Sequence, residues 1–596
     1  MRRLPLLLGL FLSVLATSQP RAEEDLKWQG WNAEVFAKAK TEQRFVILDL
    51  EAVWCHWCHV MEATTYQDPK VVELLKSKYL TVRVDQDANP DLSNRYGDWG
   101  WPATIIFAPD GTELVKRRGY VPPEGMIGLL EAVIADPTPG PSVSADADVV
   151  PSTSALLTAE QRTTLAGRSE EAFDEKLGGW GDTQKFIDAD AMDYLIQRAE
   201  TGDAQAVKRA RQTFDAALGL IDSVWGGIYQ YSDTPDWTSP HYEKIMWYQA
   251  NGLRQYAQAY ALWKDPKYLK AAADLYRYLT TRLMSPDGAF YTSQDADVDA
   301  TTPGKEFYAM DAGKRQAFGR EPRIDQHIYA RENGWAISAL VAYANVTGDA
   351  NALAAAEKAA SYIVANRRAK DGVFLHGAQD RAGPYLGDSV AMGQAALDLY
   401  AATGKRDWLK LAADAGGIID TRFKDNAGGF LTTLKAESTF LKPLKIVDEQ
   451  VQVARFANRL HRYFGSETFR ALAEHATRYL AADAILEQPR PMPGILLADH
   501  ELGVDPTHIT IVGRKTDAAA ISLDNVARAY PVAYKRLDWW DTKEGPLPNP
   551  DVTYPELDQA AAFICTNRIC SLPMFTPQEL DEKLHQMTGQ KVPSRS

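Results

Sequence analysis

Apolar and polar residues alternate differently in three parts of the chain. In the first part, short apolar runs are separated by stretches with helical spacing. A continuous apolar run of this length is typical of a buried parallel strand. The predicted strands cover 44–50, 80–85 and 104–107, and the helical stretches include 60–62 and 71–75. This pattern predicts an α/β domain over residues 23–136.

The second part, residues 156–488, is almost wholly amphipathic helix, with apolar residues at i, i+3 and i+4. Glycine pairs or Asp-Gly steps, each followed by an aromatic or apolar residue, interrupt the helices. They lie at 178–180, 226–229, 287–291, 371–374 and 428–430. Glycine supplies the positive-φ residue that ends a helix. The recurrence predicts a closed toroid of about six helical hairpins, an (α/α)6 barrel. A linear array of helical repeats is the alternative.

Two composition shifts separate these parts from the rest. Residues 137–155 are rich in Pro, Ser, Ala and Asp, which predicts a linker. Residues 489–596 contain predicted strands near 507–513, 533–537 and 561–565, so a small C-terminal α/β domain is expected. The predicted fold class is therefore multidomain, with an N-terminal α/β unit, a central toroid and this small segment.

The first 22 residues have the composition of a Sec-type signal peptide. A basic Arg2-Arg3 pair precedes an apolar stretch that is too short to span a bilayer comfortably. No other stretch is long and apolar enough for stable membrane insertion. We therefore expect a periplasmic or secreted protein, and cysteines in two close pairs suit such an oxidising compartment.

Length and charge restrict the classes of function. The chain has 596 residues, which is too long for a single hydrophobic core. Its net charge of −14 argues against nucleic acid as a partner. Apolar content of 45% and charged content of 24% are those of an ordinary globular protein.

The strongest chemical motif is Cys55-His56-Trp57-Cys58-His59, placed between a predicted strand and a helix. Thiols at this spacing could form a redox disulfide, attach a c-type haem or, with the histidines, hold a metal. A packed βαβ setting leaves no space for haem, and four ligands within five residues do not converge on one ion. We therefore predict a redox pair, with no cofactor and no metal.

In the redox interpretation, Cys55 is the nucleophile and Cys58 the resolving thiol. Asp49 on the preceding strand is expected to accept a proton, and His56 to favour the thiolate. A cis bond between Trp101 and Pro102 would place Pro102 beside the disulfide. Strand with Asp, W-C-x-x-C, helix and cis-Pro together resemble the thioredoxin fold, which implies that Pro102 presents a backbone edge to a bound partner.

Longer motifs resemble the spermatogenesis-associated protein 20 / YyaL family. They are W-C-H-W-C-H-V-M at 54–61, V-D-x-D-x-x-P-D at 84–91 and G-W-P at 100–102, with further matches along nearly the whole mature chain. The resemblance implies a thioredoxin-like domain followed by a six-hairpin barrel.

Loop residues of the barrel could form a pocket at its open end, where such toroids carry their sites. The candidates are His241, Glu243, Asp295, Asp297, His327, His376 and Asp388. Glu243 with Asp295 or Asp297 could serve as the carboxyl pair of a glycosidase. His327 with His376 could instead shuttle protons in a sugar epimerase. Helix caps, turns and ion pairs are the structural alternatives for each of them.

We therefore expect an exported thiol–disulfide oxidoreductase whose partner is a client or redox-partner protein disulfide. The barrel would bind or process a sugar-like small molecule. In the alternative, the barrel is the enzyme and the cysteine pair a redox switch, or the chain is a non-catalytic scaffold. Cys565 and Cys570 are expected to form a local stabilising disulfide, with a second redox pair as the other interpretation.

Overall fold

A computed structural model describes residues 26–143, 149–378, 383–434, 441–549, 551–566 and 569–588. The predicted signal peptide, residues 1–22, lies outside the described residues. The three predicted units follow one another along the chain, which confirms the multidomain fold class. Within the described ranges, no helix combines the length and the hydropathy needed to cross a bilayer.

The N-terminal unit is a central sheet covered by helices. Its elements are α1 (Ala33–Glu42), β1 (Phe45–Glu51), α2 (His56–Ala63), α3 (Pro69–Lys78), β2 (Tyr79–Asp85), α4 (Pro90–Tyr96), β3 (Ala103–Phe107), β4 (Glu113–Arg118) and α5 (Pro123–Ala135). The strand order is β2–β1–β3–β4, with β1 parallel to β2 and antiparallel to β3. The interior of β1 is buried, which explains its unbroken apolar sequence. The thioredoxin-like prediction is confirmed.

The second unit is built from helices and short strands. Its helices are α6 (Ala159–Glu171), α7 (Ala189–Glu200), α8 (Ala204–Ala217), α9 (Met246–Trp263), α10 (Pro266–Tyr278), α11 (Gly304–Tyr308), α12 (Ala312–Phe318), α13 (Ala330–Thr347), α14 (Ala350–Arg367), α15 (Leu386–Thr403), α16 (Arg406–Ile418), α17 (Val447–Phe464), α18 (Glu467–Leu480), α19 (Asp483–Leu486) and α20 (Pro493–Gly503). Its strands are β5 (Tyr231–Ser232), β6 (Pro240–His241), β7 (Lys244–Ile245), β8 (Ser293–Gln294) and β9 (Ile324–Asp325).

Among the described residues, six inner helices form a closed ring. Each inner helix packs against the next in the order α7, α9, α13, α15, α17, α20, and α20 packs against α7 again. The outer helices α8, α10, α14, α16, α18 and α6 cover α7, α9, α13, α15, α17 and α20 respectively. The predicted (α/α)6 toroid is thereby confirmed, and the linear array is excluded because the last inner helix contacts the first.

The ring closes beyond the boundary at 488 that the sequence predicted. Its last inner helix, α20, begins at Pro493 and pairs with α6 from the start of the unit. The prolines at 489 and 491 break the helical pattern before it, and a third proline, Pro493, is its first residue. Most of α20 is buried on all sides, so it lacks the amphipathic pattern of a helix with one exposed face. The amphipathic pattern therefore did not extend to α20, and the predicted barrel ended before it.

Buried amide side chains of the inner helices form hydrogen bonds with the turns of the ring. In each case, an amide near the start of an inner helix accepts a hydrogen bond from the backbone N–H of the preceding turn and donates one to the C=O of the same residue. The pairs are Gln249 with Ile228, Asn333 with Phe290, and Gln450 with Phe430. These turn residues are the apolar and aromatic positions that follow the glycine steps in the sequence. We call these three pairs the amide clamps.

The inner helices begin at one end of the ring, which we call the mouth. At the mouth, β7, β8 and β9 form a small antiparallel sheet, and β7 leads directly into α9. The thioredoxin-like unit lies against this end, because Asp87 of its β2–α4 loop accepts a hydrogen bond from His376 of the barrel through its backbone carbonyl (2.7 Å). The mouth is therefore covered by the N-terminal unit.

The C-terminal unit has the same strand order as the N-terminal one. It contains β10 (Thr507–Val512), α21 (Ala518–Ala529), β11 (Lys535–Trp540), β12 (Ala561–Thr566), β13 (Ile569–Cys570) and α22 (Pro577–Thr588). In the order β11–β10–β12–β13, β10 is parallel to β11 and antiparallel to β12. The tail thus repeats the thioredoxin-like topology, but residues 513–517 before α21 contain no cysteine.

The amide clamps generate a stability prediction. Gln450 is fully buried, and Gln450→Met keeps the shape of the side chain but leaves the N–H and C=O of Phe430 without partners. We expect a loss of about 2–4 kcal/mol in the free energy of unfolding, since each buried unpaired group costs ~1–3 kcal/mol. Chemical denaturation measures this loss.

Gln394→Met is the matched control, because Gln394 on α15 is half-buried and makes one long hydrogen bond of 3.5 Å. Its effect should stay below about 1 kcal/mol. Equal losses for the two variants would contradict the role assigned to the clamps.

Candidate functional site

The cysteine pair lies at the start of α2. Cys55 is the N-cap residue, and its Sγ accepts a hydrogen bond from the backbone N–H of Cys58 at 3.1 Å. The two residues form a disulfide, with their Cα atoms 5.3 Å apart. The unpaired N–H groups and the positive dipole end of a helix stabilise a thiolate at this position. The local geometry is therefore that of a reactive thiol pair.

Asp49 and Pro102 lie in the same part of the thioredoxin-like unit. Asp49 is buried in β1 and forms an ion pair with Arg83, whose Nε is 3.0 Å from Asp49 Oδ2. Burial raises the pKa of Asp49 to about 6, and Arg83 only partly opposes this shift. The Trp101–Pro102 peptide is cis, as the sequence suggested, and Pro102 is buried.

Barrel residues complete the surroundings of the cysteine motif. Nδ1 of His56 hydrogen-bonds Oδ2 of Asp297, and Oδ1 of Asp297 accepts a hydrogen bond from Gly304 N at 2.7 Å. Nε2 of His59 lies 3.8 Å from Oδ2 of Asp295. Two candidates for the barrel pocket, Asp295 and Asp297, thus face the cysteine motif across the interface of the two units.

These contacts shift the pKa values in opposite directions. The hydrogen bond that His56 donates to Asp297 raises the pKa of His56, whereas burial lowers the pKa of His59. Burial also raises the pKa of Asp295 to about 7. The site therefore contains groups that can exchange protons near neutral pH.

Glu243 and His241 border the same space. Glu243 is buried, and its Oε2 lies 3.4 Å from Nδ1 of His241. The pairing of Lys244 with Gln294 in the small sheet places Glu243 opposite Asp295 at the next register position. The candidate carboxyl pair therefore comes together, but against the cysteine motif and not in an open pocket.

The two histidines of the epimerase interpretation flank Tyr329. The ring of His376 stacks on Tyr329 at 4.2 Å, and the ring of His327 lies 5.7 Å away on a parallel plane. His327 is largely exposed and pairs with Asp325, while His376 is buried. Tyr329 thus separates the two imidazoles.

His376 ties the barrel to the thioredoxin-like unit. Its Nδ1 lies 2.9 Å from Oδ1 of Asp388, which also accepts a hydrogen bond from the backbone N–H of Arg331. Burial lowers the pKa of His376, but Asp388 outweighs this effect and raises it to about 9. A charged, fully bonded histidine of this kind holds an interface together.

Two groups of side chains have ligand atoms within 4.8 Å of one another and could hold a divalent cation. They are His59 with Asp295 and Asp297, and Asp85 with Asp325 and His327. Each group combines one residue of the thioredoxin-like unit with two of the barrel. Mixed imidazole and carboxylate ligands suit first-row transition metals.

A separate cavity of about 340 Å³ lies inside the ring. Trp247 and Trp335 line it, with their rings 4.7 Å apart in an edge-to-face arrangement. Charged residues line it as well, and burial raises the pKa of one of them, Asp190, to about 7. Segment 530–535 of the C-terminal unit also borders it.

An ion-pair network organises the wall of this cavity. Asp193 pairs with Arg254 at 2.9 Å, and Arg455 pairs with Glu501 at 2.8 Å. The candidates predicted from the sequence did not include these residues, because those candidates were taken from loops. The signal that could have identified them is a charged residue on the buried face of an inner helix, where a core position is normally apolar.

The tail disulfide is present as well. Cys565 and Cys570 are directly opposite each other in β12 and β13 and are bonded. Cys565 is buried, whereas the neighbouring Ile569 is 75% exposed.

Comparison with known proteins supports the organisation of the chain. The family model Thioredox_DsbH, described as a protein of unknown function, DUF255, matches residues 17–135. The thiol:disulfide interchange protein DsbD 2 of Pseudomonas aeruginosa is 36% identical over 85 residues, which are 14% of this chain and 14% of that protein.

Two solved structures resemble the helical part. Cellobiose 2-epimerase from Bacillus thermoamylovorans covers 54% of this chain and 86% of its own, with 13% identity and a TM-score of 0.43. D-mannose isomerase covers 58% of this chain and 96% of its own, with 12% identity and a TM-score of 0.45.

Two relatives extend over nearly the whole chain. An uncharacterized protein of Caenorhabditis elegans is 22% identical over 94% of this chain and 95% of its own length. Spermatogenesis-associated protein 20 of Homo sapiens is 22% identical over 95% of this chain and 90% of its own length. The resemblance seen in the motifs is thereby confirmed, and the chain is a homologue of spermatogenesis-associated protein 20 over nearly its entire length.

Proposed function

We propose that the protein is an exported thiol–disulfide oxidoreductase that uses Cys55 and Cys58. The observation that carries the proposal is the bonded pair at the start of α2, where the Cys58 N–H donates a hydrogen bond to the Cys55 sulfur. The same interaction stabilises the Cys55 thiolate after reduction, because an N–H donor is then directed at a negative charge. Residues 1–22 would direct export to an oxidising compartment.

The reaction proceeds by two exchanges. The Cys55 thiolate attacks a partner disulfide, forms a mixed disulfide and releases one partner thiolate. The Cys58 thiolate then attacks the Cys55 sulfur, releases the second partner thiolate and restores the Cys55–Cys58 bond. Two electrons pass from the protein to the partner. Asp49, with a pKa of about 6, accepts the proton that Cys58 loses.

Barrel residues take part by positioning. Asp297 orients His56 beside Cys55 and favours its protonated form. A positive imidazole next to the helix start favours the thiolate, and so makes the pair more oxidising. The proposed active site is therefore shared between the two units.

We propose in addition that the cavity inside the ring binds a carbohydrate-like ligand. Trp247 and Trp335 offer apolar faces for a sugar ring, while Asp190 and Arg254 offer polar contacts in the same space. Asp190, with a pKa of about 7, could donate or accept a proton. This is a second function, because the cavity is lined by the inner helices and not by the cysteine motif.

Cys55→Ser tests the redox proposal. We expect turnover of hydroxyethyl disulfide in a glutathione-coupled assay to fall at least about 100-fold, because serine cannot form the mixed disulfide. The double variant Cys565→Ser/Cys570→Ser is the control and should keep the wild-type rate. Unchanged turnover in Cys55→Ser would rule out the assignment, and loss in the control would make the tail pair part of the redox path.

Asp49→Asn tests the protonation state of the buried acid. The pKa of Asp49 is about 6 in the folded protein and 3.8 for an ordinary Asp, so the folded state holds this proton more tightly. The contribution of Asp49 to wild-type stability therefore falls as the pH rises from 4 to 7, and Asp49→Asn lacks this loss. Relative to wild type, the variant should gain on the order of 3 kcal/mol across this range.

Denaturant unfolding at pH 4 and pH 7 measures this difference. Asp110→Asn is a control of opposite sign, because a backbone hydrogen bond from Thr112 lowers the pKa of the exposed Asp110. Its stability relative to wild type should decrease as the pH rises. A pH-independent difference between wild type and Asp49→Asn would contradict the proposed proton acceptor.

Trp335→Ala tests the ring cavity. A thermal-shift screen with D-mannose, cellobiose, N-acetylglucosamine and D-glucuronate should give saturable stabilisation by at least one sugar. The effect should disappear in Trp335→Ala, because the stacking face is removed. Trp408→Ala, on the outer helix α16 and outside the cavity lining, should retain the response. No response in wild type, or an unchanged one in Trp335→Ala, would count against a sugar site.

A further inference from the structure

The barrel covers the reactive face of the thioredoxin-like unit. Cys55 and Cys58 are only 3% and 4% exposed. With Ala52 and Trp54 they form an apolar cluster, and Ile245 of the barrel packs against it together with Trp101. Pro102, whose backbone edge would receive a partner polypeptide, is buried as well. The surface on which a folded protein would dock is thus inside the interface of the two units.

Polar contacts between the barrel and the thioredoxin-like unit lie on both sides of the cysteines. Nη2 of Arg323 donates a hydrogen bond to the carbonyl of Val53 at 3.0 Å, and Asp297 binds His56. Further along the mouth, Nδ2 of Asn94 donates to Oε1 of Glu449 at 3.4 Å, and Nε2 of His376 donates to the backbone carbonyl of Asp87 at 2.7 Å. Separation of the two units would break all of these hydrogen bonds. The arrangement in which the barrel covers the cysteines is therefore the stable one.

A narrow strip of the motif stays open to solvent. Trp57 is 43% exposed, and the side chains of His56 and His59 are 32% and 39% exposed. Trp57 lies 5.7 Å from Tyr120, so the strip is bordered by an aromatic surface. These exposed side chains belong to one helical turn, which is far less surface than the roughly 800 Å² per partner that a stable protein–protein interface buries.

We propose that the Cys55–Cys58 pair exchanges with low-molecular-weight thiols and disulfides, and not with folded protein clients. This inference rests on the proposed oxidoreductase function and narrows its substrate to compounds of the size of glutathione or cystine. It follows from the cover that the barrel places over the docking face.

The electrons balance within the pair and its substrate. The Cys55 thiolate attacks a small disulfide RSSR, forms Cys55–S–SR and releases RS⁻. The Cys58 thiolate then displaces the second RS⁻ and closes the Cys55–Cys58 bond. The protein loses two electrons, the substrate gains them, and the two released thiolates take up protons from solvent. The reverse direction uses two small thiols as the reductant.

Two reductants of different size test the proposal on the full-length, oxidised chain. One is glutathione, and the other is a reduced thioredoxin of about 100 residues, used at equal thiol concentration. Maleimide trapping followed by peptide mass spectrometry measures the reduction of each disulfide separately. The tail pair Cys565–Cys570 is the internal reference, because Cys570 is only half-buried and its neighbours Ile569 and Leu572 are 75% and 87% exposed.

We expect glutathione to reduce Cys55–Cys58, and reduced thioredoxin to do so at least about 10-fold more slowly, because it must wait for the units to separate. At Cys565–Cys570, thioredoxin should be as fast as glutathione or faster. Equal or faster reduction of Cys55–Cys58 by thioredoxin would overturn the inference and leave the oxidoreductase function intact. No reduction of Cys55–Cys58 by either reagent would overturn the proposed function itself.

A variant with a weakened contact between the barrel and the thioredoxin-like unit provides the second measurement. Arg323→Ala removes the hydrogen bond to Val53 and should raise the rate with thioredoxin, while the rate with glutathione stays unchanged. Arg320→Ala is the matched control, because Arg320 is an exposed neighbour that pairs with Asp299 of the barrel and not with the thioredoxin-like unit. Equal thioredoxin rates in wild type, Arg323→Ala and Arg320→Ala would show that the cover does not limit access.

Discussion

Hydrogen bonding of the turns of the ring to buried amide groups of the inner helices is the constraint on which the other parts depend. Gln249, Asn333 and Gln450 each satisfy both backbone groups of a turn that has no access to water. Because the clamps join each turn to the start of the next inner helix, they set the positions of the mouth loops. Those loops carry the acids that reach the cysteine motif.

The mouth is a shared site and not an open pocket. The thioredoxin-like unit lies against the mouth, so Asp297 meets His56 and Asp295 faces His59. The barrel thereby influences the charge around Cys55, and the cavity inside the ring is lined by other residues.

Much of this organisation could be predicted from local patterns. The buried strand at 45–51, the cysteines at a helix start and the glycine-aromatic turns are local features, and each has a short-range physical cause. Helix α20 was missed because a helix buried on all sides has no amphipathic signature, and because two prolines precede it and a third is its first residue. Asp193, Arg254 and Arg455 were missed because their role depends on partners far away in the chain.

The sequence by itself determined where the cysteine motif lies and which elements carry it. The motif, the strand before it and the helical repeat follow from neighbouring residues, whose propensities and spacing act within a few turns. Only the tertiary structure decided what the cysteines face. Asp297 reaches His56 across 241 positions of sequence, and no local pattern encodes such a contact, since it arises when a closed ring presents its mouth to a second unit.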